Sequence, residues 1–277
     1  MRVGINPLSR SSIKPPSKHI AAVITHLPNM GGYHERRMDV IKLCLTSMRK
    51  HAGIDCQFYV WDNGSCNELR TWITSKFRPD FFTASPNIGK SNARKAIFSS
   101  FAPDTIIAMS DDDILFYPDW YKLQEKTRVH FGAVQVSGDP IRTSFRWGCE
   151  NTIKNAPGKI KSGKFIPDGW EHDFAISIGR DPEWHKNYTA KDLDYRVTYK
   201  GVQAYCTGHH CQFIARVGDI LPAMVWSDEA MSDEKPFDIA VDKLGLRLCT
   251  TERLSRHIGN VIDAGIASEA QKFNLEV

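Results

Sequence analysis

The sequence predicts an α/β fold: a mostly parallel sheet flanked by helices, with a mixed-strand second half. Three observations predict it. Short apolar runs alternate with helical stretches four times over residues 20–113, spaced as strands joined by crossover helices are. Each run ends on polar residues beside Gly or Pro, namely Thr25, Asp62, Asn87 and the pair Asp111/Asp113. In an open parallel sheet such exits share the carboxyl edge, where ligands bind. The chain is also 42% hydrophobic and 25% charged, close to the globular average, so it can bury a core.

Taken in order, residues 1–18 read as a mobile arm, since Pro7, Pro15, Pro16 and four serines offer little to bury. Ile20-Ala-Ala-Val-Ile24 is an apolar run of the buried-strand type. Met38, Ile41, Leu45 and Met48 follow at helical spacing, with Gly53 placed to close the helix. Gln57–Trp61 is a second strand, broken by the turn Asp62-Asn-Gly-Ser65; Leu69, Trp72 and Ile73 mark the next helix. Phe81 and Phe82 begin a third strand, which ends in Pro86-Asn-Ile-Gly-Lys90 before a helix capped by Ser91. Thr105–Met109 is the fourth strand and stops at Ser110 and three aspartates.

Beyond this point regularity falls. Strands are expected at 133–136, 203–206, 211–215 and 246–249, and a short helix near 237–244. Residues 151–164, with four lysines and two glycines and no periodicity, read as a mobile loop and a possible lid. No linker divides the chain. It reads as one domain with a first half at 19–130 and a second at 131–277.

Several classes are excluded. The longest apolar runs are far short of the roughly 20 residues of a membrane span. The first 18 residues lack the apolar segment of a secretory signal. The seven cysteines are scattered, with no CxxC pair, which argues for a reducing compartment and a cytoplasmic protein. No GxGxxG follows a strand, which removes a dinucleotide oxidoreductase. A net charge of +4 suits an anionic ligand and ranks nucleic acid low as a partner without removing it.

The sharpest feature is Asp111-Asp112-Asp113. Alternate carboxylates leaving a strand can share one side, so Asp111 and Asp113 can hold one ligand while Asp112 faces elsewhere. Like charges held that close repel unless a proton or a cation neutralises them. Hard oxygen donors favour Mg²⁺ or Mn²⁺, which commonly bridge carboxylates to substrate phosphates.

Asp62-Asn-Gly-Ser65, Asn87-Ile-Gly-Lys-Ser-Asn-Ala-Arg94 and Asp111-x-Asp113, in that order and spacing, resemble the family 2 glycosyltransferases of the GT-A fold. The resemblance covers about residues 20–125 well and the rest loosely. It implies a nucleotide-sugar-binding first half and an acceptor-binding second half. Asp62 would bond the donor nucleobase, Thr25 would line the nucleoside pocket, and Asn87, Gly89 and Lys90 would lie along it. Asp111 would meet the ribose, and Asp111, Asp113 and a late histidine, His257, would hold Mn²⁺ or Mg²⁺ under the diphosphate. His209 and His210 are the alternative histidines. In the second half, Lys191-Asp192-Leu-Asp194 resembles the family's acidic acceptor-side helix, although a lysine stands where an acid is usual. Asp192 is the first candidate for catalytic base, with Asp194 and Asp173 behind it.

The expected activity is transfer of a sugar from a nucleoside-diphosphate sugar, UDP ahead of GDP, to a hydroxyl of a glycan or other acceptor, by inversion. A sugar nucleotidyltransferase would want an Arg-containing glycine loop after the first strand, and Thr25–Gly32 lacks it. A non-catalytic nucleotide- or glycan-binding module is the remaining alternative. Trp147, Trp170, Trp184 and Tyr188 are candidates for stacking on an acceptor sugar.

Overall fold

The computed structural model describes residues 17–226 and 234–276. The arm expected over residues 1–18 lies outside the described residues save for its last two. The order is β1 (His19–Thr25), α1 (Arg37–His51), β2 (Gln57–Asn63), α2 (Asn67–Trp72), β3 (Phe81–Ser85), α3 (Lys90–Ser99), β4 (Ile106–Ser110), β5 (Ile114–Phe116) and α4 (Trp120–Phe131). The second half continues with β6 (Gln135–Ser137), α5 (Glu150–Asn155), β7 (Lys159–Gly163), α6 (Asp168–Ser177), α7 (Pro182–Thr189), β8 (Asp194–Tyr199), β9 (Val202–Tyr205), β10 (Gln212–Arg216), α8 (Val217–Ile220), α9 (Glu234–Leu244), β11 (Arg247–Thr250), β12 (Ser255–His257) and α10 (Ala264–Lys272).

Among the described residues ten strands form one sheet in the order β3-β2-β1-β4-β10-β6-β11-β9-β8-β7, and β5 pairs with β12 in a separate ribbon. Strands β3, β2, β1 and β4 are parallel. Strand β10 then runs antiparallel to both β4 and β6, and the far edge β9-β8-β7 is antiparallel throughout. The fold class expected from the sequence is the one observed.

Burial explains the central strands. Every residue of β4 is buried, as is β1 from Ile20 onward, because helices cover both faces. One core joins Ala21 and Val23 to Ile41, Leu45 and Met48 of α1 and to Trp120 and Tyr121 of α4. The other joins Ile20 and Ala22 to Ile97 and Phe98 of α3, Phe213 and Phe237. Each such side chain, fully buried, contributes about 1.5–3 kcal/mol of hydrophobic stabilisation. Gly53 closes α1 with a φ of 75°, as its position after the apolar stripe suggests.

Two expectations for the second half are corrected. Residues 151–164 hold helix α5 and strand β7. In β7 Lys159 and Lys161 are exposed while Ile160 between them turns inward, so the lysines are an outer row on an edge strand. That edge is six strands from β4, which removes this stretch as a lid over the aspartates. The Lys191–Arg196 stretch is not a helix either: it is the turn into β8 and its first residues. Asp194 there is fully buried and bonds Arg142 Nε at 3.0 Å and the backbone N–H groups of Phe165 and Ile166 at 2.6 and 2.8 Å.

Two substitutions test this framework. Gly64 has a φ of 88°, and a Cβ there would lie 2.8 Å from the backbone nitrogen of Asn87. Gly64→Ala is therefore expected to cost about 1–3 kcal/mol of folding stability, and an unchanged denaturation midpoint would contradict the packing of these two turns. Asp194→Ala leaves the buried Arg142 with only the exposed Asp168, at 3.5 Å, as a carboxylate partner and should cost about 3–5 kcal/mol by the same measurement. A loss under about 1 kcal/mol, the range of an exposed pair, would show that Asp194 does not brace the fold.

Candidate active site

Strands β2 and β3 lie on one side of β1 and β4 on the other, so the chain reverses direction across the sheet between β1 and β4. That crevice at the carboxyl ends is where an open α/β sheet offers a ligand site. A cavity of about 370 Å³ opens there, lined by Ile24, His26, Tyr33, His34, Arg37, Asn63, Asn87, Gly89, Lys90, Asp111, Asp112, Asp113 and Asn260.

The three aspartates leave β4 into three different environments. Asp111 Oδ2 accepts from Lys90 Nζ at 2.7 Å. Asp112 accepts from the backbone N–H of His26 at 2.9 Å and bonds Arg37, facing the β1 exit. Asp113 Oδ2 accepts from Arg37 Nη1 at 3.1 Å, while its Oδ1 is buried without a hydrogen-bond partner among the described residues. Burial works against ionisation of Asp113, yet the charges of His257 and Arg37 outweigh it and hold the carboxyl below its usual range. Burial prevails at Asp112, whose carboxyl is pushed up despite Arg37. Burial also opposes the charge on Lys90, but Asp111 more than restores it.

His257 stands 3.5 Å from Asp113, Nε2 to Oδ2, and its Nδ1 contacts Ser177 Oγ at 2.8 Å. Ser177 thereby fixes the ring with Nε2 toward the carboxylate, the support that a metal-binding histidine needs. Asp111, Asp113 and His257 offer hard oxygens, one of them an orphaned buried acceptor, and an imidazole nitrogen. That donor set fits Mn²⁺ or Mg²⁺. Among the described residues it is His209, His210 and Cys211, not Asp111, Asp113 and His257, that already bring three potential ligand atoms within 4.8 Å of one another. Both ring nitrogens of His210 are taken, however, Nδ1 by Asp238 at 3.0 Å and Nε2 by Glu234 at 3.3 Å, so it has no lone pair to give.

The β2 and β3 exits are tied together. Asn63 Nδ2 donates to Asn87 Oδ1 and Asn63 Oδ1 accepts from the Ile88 N–H, while Asn87 Oδ1 also takes the N–H of Gly89. Gly89, at a φ of 82°, turns the chain into α3 and brings Lys90 to Asp111. Asn87, Gly89, Lys90, Asp111 and Asp113 line one cavity. Thr25 and Asp62 do not reach it. Thr25 is wholly buried, while Ile24 and His26 on either side line the cavity. Asp62 is fully buried too: it accepts from the Ser65 N–H and from Arg70 Nε at 2.6 Å, so it holds the turn together. Asn63, the next residue, takes its expected place on the wall.

A second cavity of about 400 Å³ shares Asp111 with the first. It is walled by residues of the second half, among them Arg146, Trp147, Tyr188, His209, His210, Glu234, Asp238 and His257. The three carboxylates proposed as base are absent from its walls. Asp192 is paired with Arg146 at 2.7 Å, Asp173 is gripped by Arg253 and Arg256 at 2.7 and 3.2 Å, and Asp194 is enclosed as described. The hydrogen bond from His210, assisted against burial by Lys90, holds Glu234 well below the usual carboxylate range.

Sequence reasoning missed Arg37, Asn63, Asn260 and Glu234. Arg37 carried a readable signal. It is the first residue of α1, where the helix dipole disfavours a cation, so it needed carboxylates nearby.

No known family profile matches the chain, and no characterised protein matches it by sequence. Solved structures do. S. aureus TarS 1–349 in complex with UDP-GlcNAc aligns with a TM-score of 0.52 and 13% identity, over 91% of this chain and 61% of that one. The same segment in complex with UDP gives 0.50 and 12%, over 86% and 59%. Another S. aureus TarS crystal structure gives 0.51 and 12%, over 88% of this chain and 37% of that one. The chain thus spans less than two thirds of the length of each. At this identity the likeness establishes the fold, which is that of a protein solved with UDP-GlcNAc and with UDP.

Proposed function

We propose that the chain is a GT-A glycosyltransferase that moves a sugar from a nucleoside-diphosphate sugar to an acceptor hydroxyl. One observation carries the reading: Asp111, Asp113, Lys90 and Arg37 converge at the crevice between β1 and β4, and that cavity meets a second one at Asp111. The first cavity takes the donor and the second admits the acceptor. A UDP-sugar is the first choice of donor, since the TarS structures that share the fold hold UDP-GlcNAc and UDP; a GDP-sugar is next. A cytoplasmic location belongs to the same proposal, supported by seven unpaired cysteines. Among the described residues no helix is long and apolar enough to cross a membrane.

Charge accounts for the cation. Arg37 and Lys90 are already engaged with the three aspartates, so an arriving diphosphate adds negative charge to a site whose cations are matched. Asp111, Asp113 and His257 would hold Mn²⁺ or Mg²⁺, which when bound neutralises the diphosphate as it departs. Lys90, at the start of α3 beside Asp111, is placed to pass its hydrogen bond to a phosphate oxygen. Arg37 holds Asp112 and Asp113 in place and also donates to the Gly259 carbonyl and Asn260 Oδ1, fixing the segment that carries His257. With sugar and hydroxyl approaching from separate cavities, a single inverting displacement is the favoured course.

The test is thermal stabilisation by UDP, GDP, CMP and dTDP, each with and without Mn²⁺. A ligand at about 100 times its Kd adds about 2.7 kcal/mol. UDP is expected to stabilise the protein with Mn²⁺, with the effect lost in Asp111→Ala. No shift with any nucleotide would overturn the donor site.

A further inference from the structure

The displaced candidates at Asp192, Asp194 and Asp173 leave the acceptor-side cavity without an assigned proton acceptor, and its own walls supply one. Glu234 is the first residue of α9 and is partly exposed in that cavity. Its Oε1 contacts Lys90 Nζ at 3.1 Å, and the same ammonium bonds Asp111 at 2.7 Å. Glu234 therefore stands one side chain away from the aspartate where the two cavities meet. Its Oε2 is 3.3 Å from His210 Nε2, and His210 Nδ1 is 3.0 Å from Asp238 Oδ2. Asp238 is buried and in turn lies 2.6 Å from Arg247, whose guanidinium is fixed by the carbonyls of Trp147, Gly148 and Gly208. A carboxylate at the junction, oriented by a histidine that is itself oriented by a buried carboxylate, has the layered support of a catalytic base.

We infer that Glu234 is the group that takes the acceptor's proton, with His210 and Asp238 as positioning residues. The inference rests on the glycosyltransferase reading above. In the step, the acceptor O–H gives its proton to Glu234 and the oxygen forms the new bond to the anomeric carbon. The bond from that carbon to the diphosphate oxygen breaks, and its electron pair leaves with the diphosphate. Lys90 couples the two events. When its ammonium turns to the diphosphate, Oε1 of Glu234 is freed for the acceptor and loses one of the two cations that lower its basicity, the hydrogen bond from His210 being the other and the larger.

The test uses the full chain with UDP-GlcNAc and other UDP-sugars plus Mn²⁺, with water and glycerol as acceptors. It reads release of UDP, while UDP binding is measured separately by calorimetry. Glu234→Gln is expected to bind UDP within threefold of the wild type and to lose about 10²–10⁴-fold in turnover. Glu234→Ala should regain part of its activity with added formate, a rescue that a structural role would not give. His210→Gln should lower kcat by a smaller factor with little change in KM. A Glu234→Gln protein that binds UDP and turns over within threefold of wild type would overturn the assignment. So would a wild type that binds UDP yet transfers sugar to neither water nor glycerol, since a base at this junction serves any hydroxyl that reaches it. Failure of the wild type to bind UDP, GDP, CMP or dTDP would instead overturn the donor site, and this inference with it.

Discussion

Three consecutive carboxylic acids at the end of a buried strand can be tolerated only if the surrounding structure supplies positive charge, and much of this molecule is organised around that requirement. Arg37 answers Asp112 and Asp113 from the start of α1, and Lys90 answers Asp111 from the start of α3. The two cations arrive on the helices that follow β1 and β3, so the parallel half of the sheet fixes their positions. Arg37 also holds the turn at Gly259 and Asn260, which brings the far end of the chain to the same place. The resulting site sets two cations against three aspartates before any ligand enters, and a diphosphate therefore needs a cation of its own.

The second half solves a different problem. Its strands are short and, apart from the parallel pair β6 and β11, antiparallel, and buried ion pairs join them. Arg142 joins the segment after β6 to β8 through Asp194, and Arg247 joins β11 to the carbonyls of the neighbouring loops and to Asp238 of α9. Arg253 and Arg256 bind Asp173 of α6, and Arg253 also bonds Asp139, which takes the backbone N–H of His257. Pairs of this kind are costly to break, so they hold the acceptor-side cavity in one shape and hold His257 toward Asp113.

This division explains what the sequence revealed. Strands β1 and β4 were legible because both faces are buried and their residues are continuously apolar. The exit carboxylates were legible because an acidic cluster after such a strand has few structural uses. Asp62 was misplaced because a turn-forming carboxylate and a ligand-facing one share the same sequence, and only Arg70 and Ser65 distinguish them. Asp173, Asp192 and Asp194 were misread for a related reason. Their partners Arg253, Arg146 and Arg142 lie 46 to 80 residues away in the chain, and no local pattern announces such pairing. The lysines of 151–164 lacked helical period because Lys154 sits on α5 while Lys159 and Lys161 alternate on an edge strand only five residues long.

On the proposed function, Asp111, Asp113 and His257 hold a divalent cation under a nucleoside diphosphate. The most direct measurement is an anomalous-difference map from a crystal grown with UDP and Mn²⁺. One peak is expected between these three side chains, at coordination distance from their oxygen and nitrogen atoms and beside the diphosphate. A peak at His209, His210 and Cys211, or UDP bound with no peak near Asp113, would contradict it.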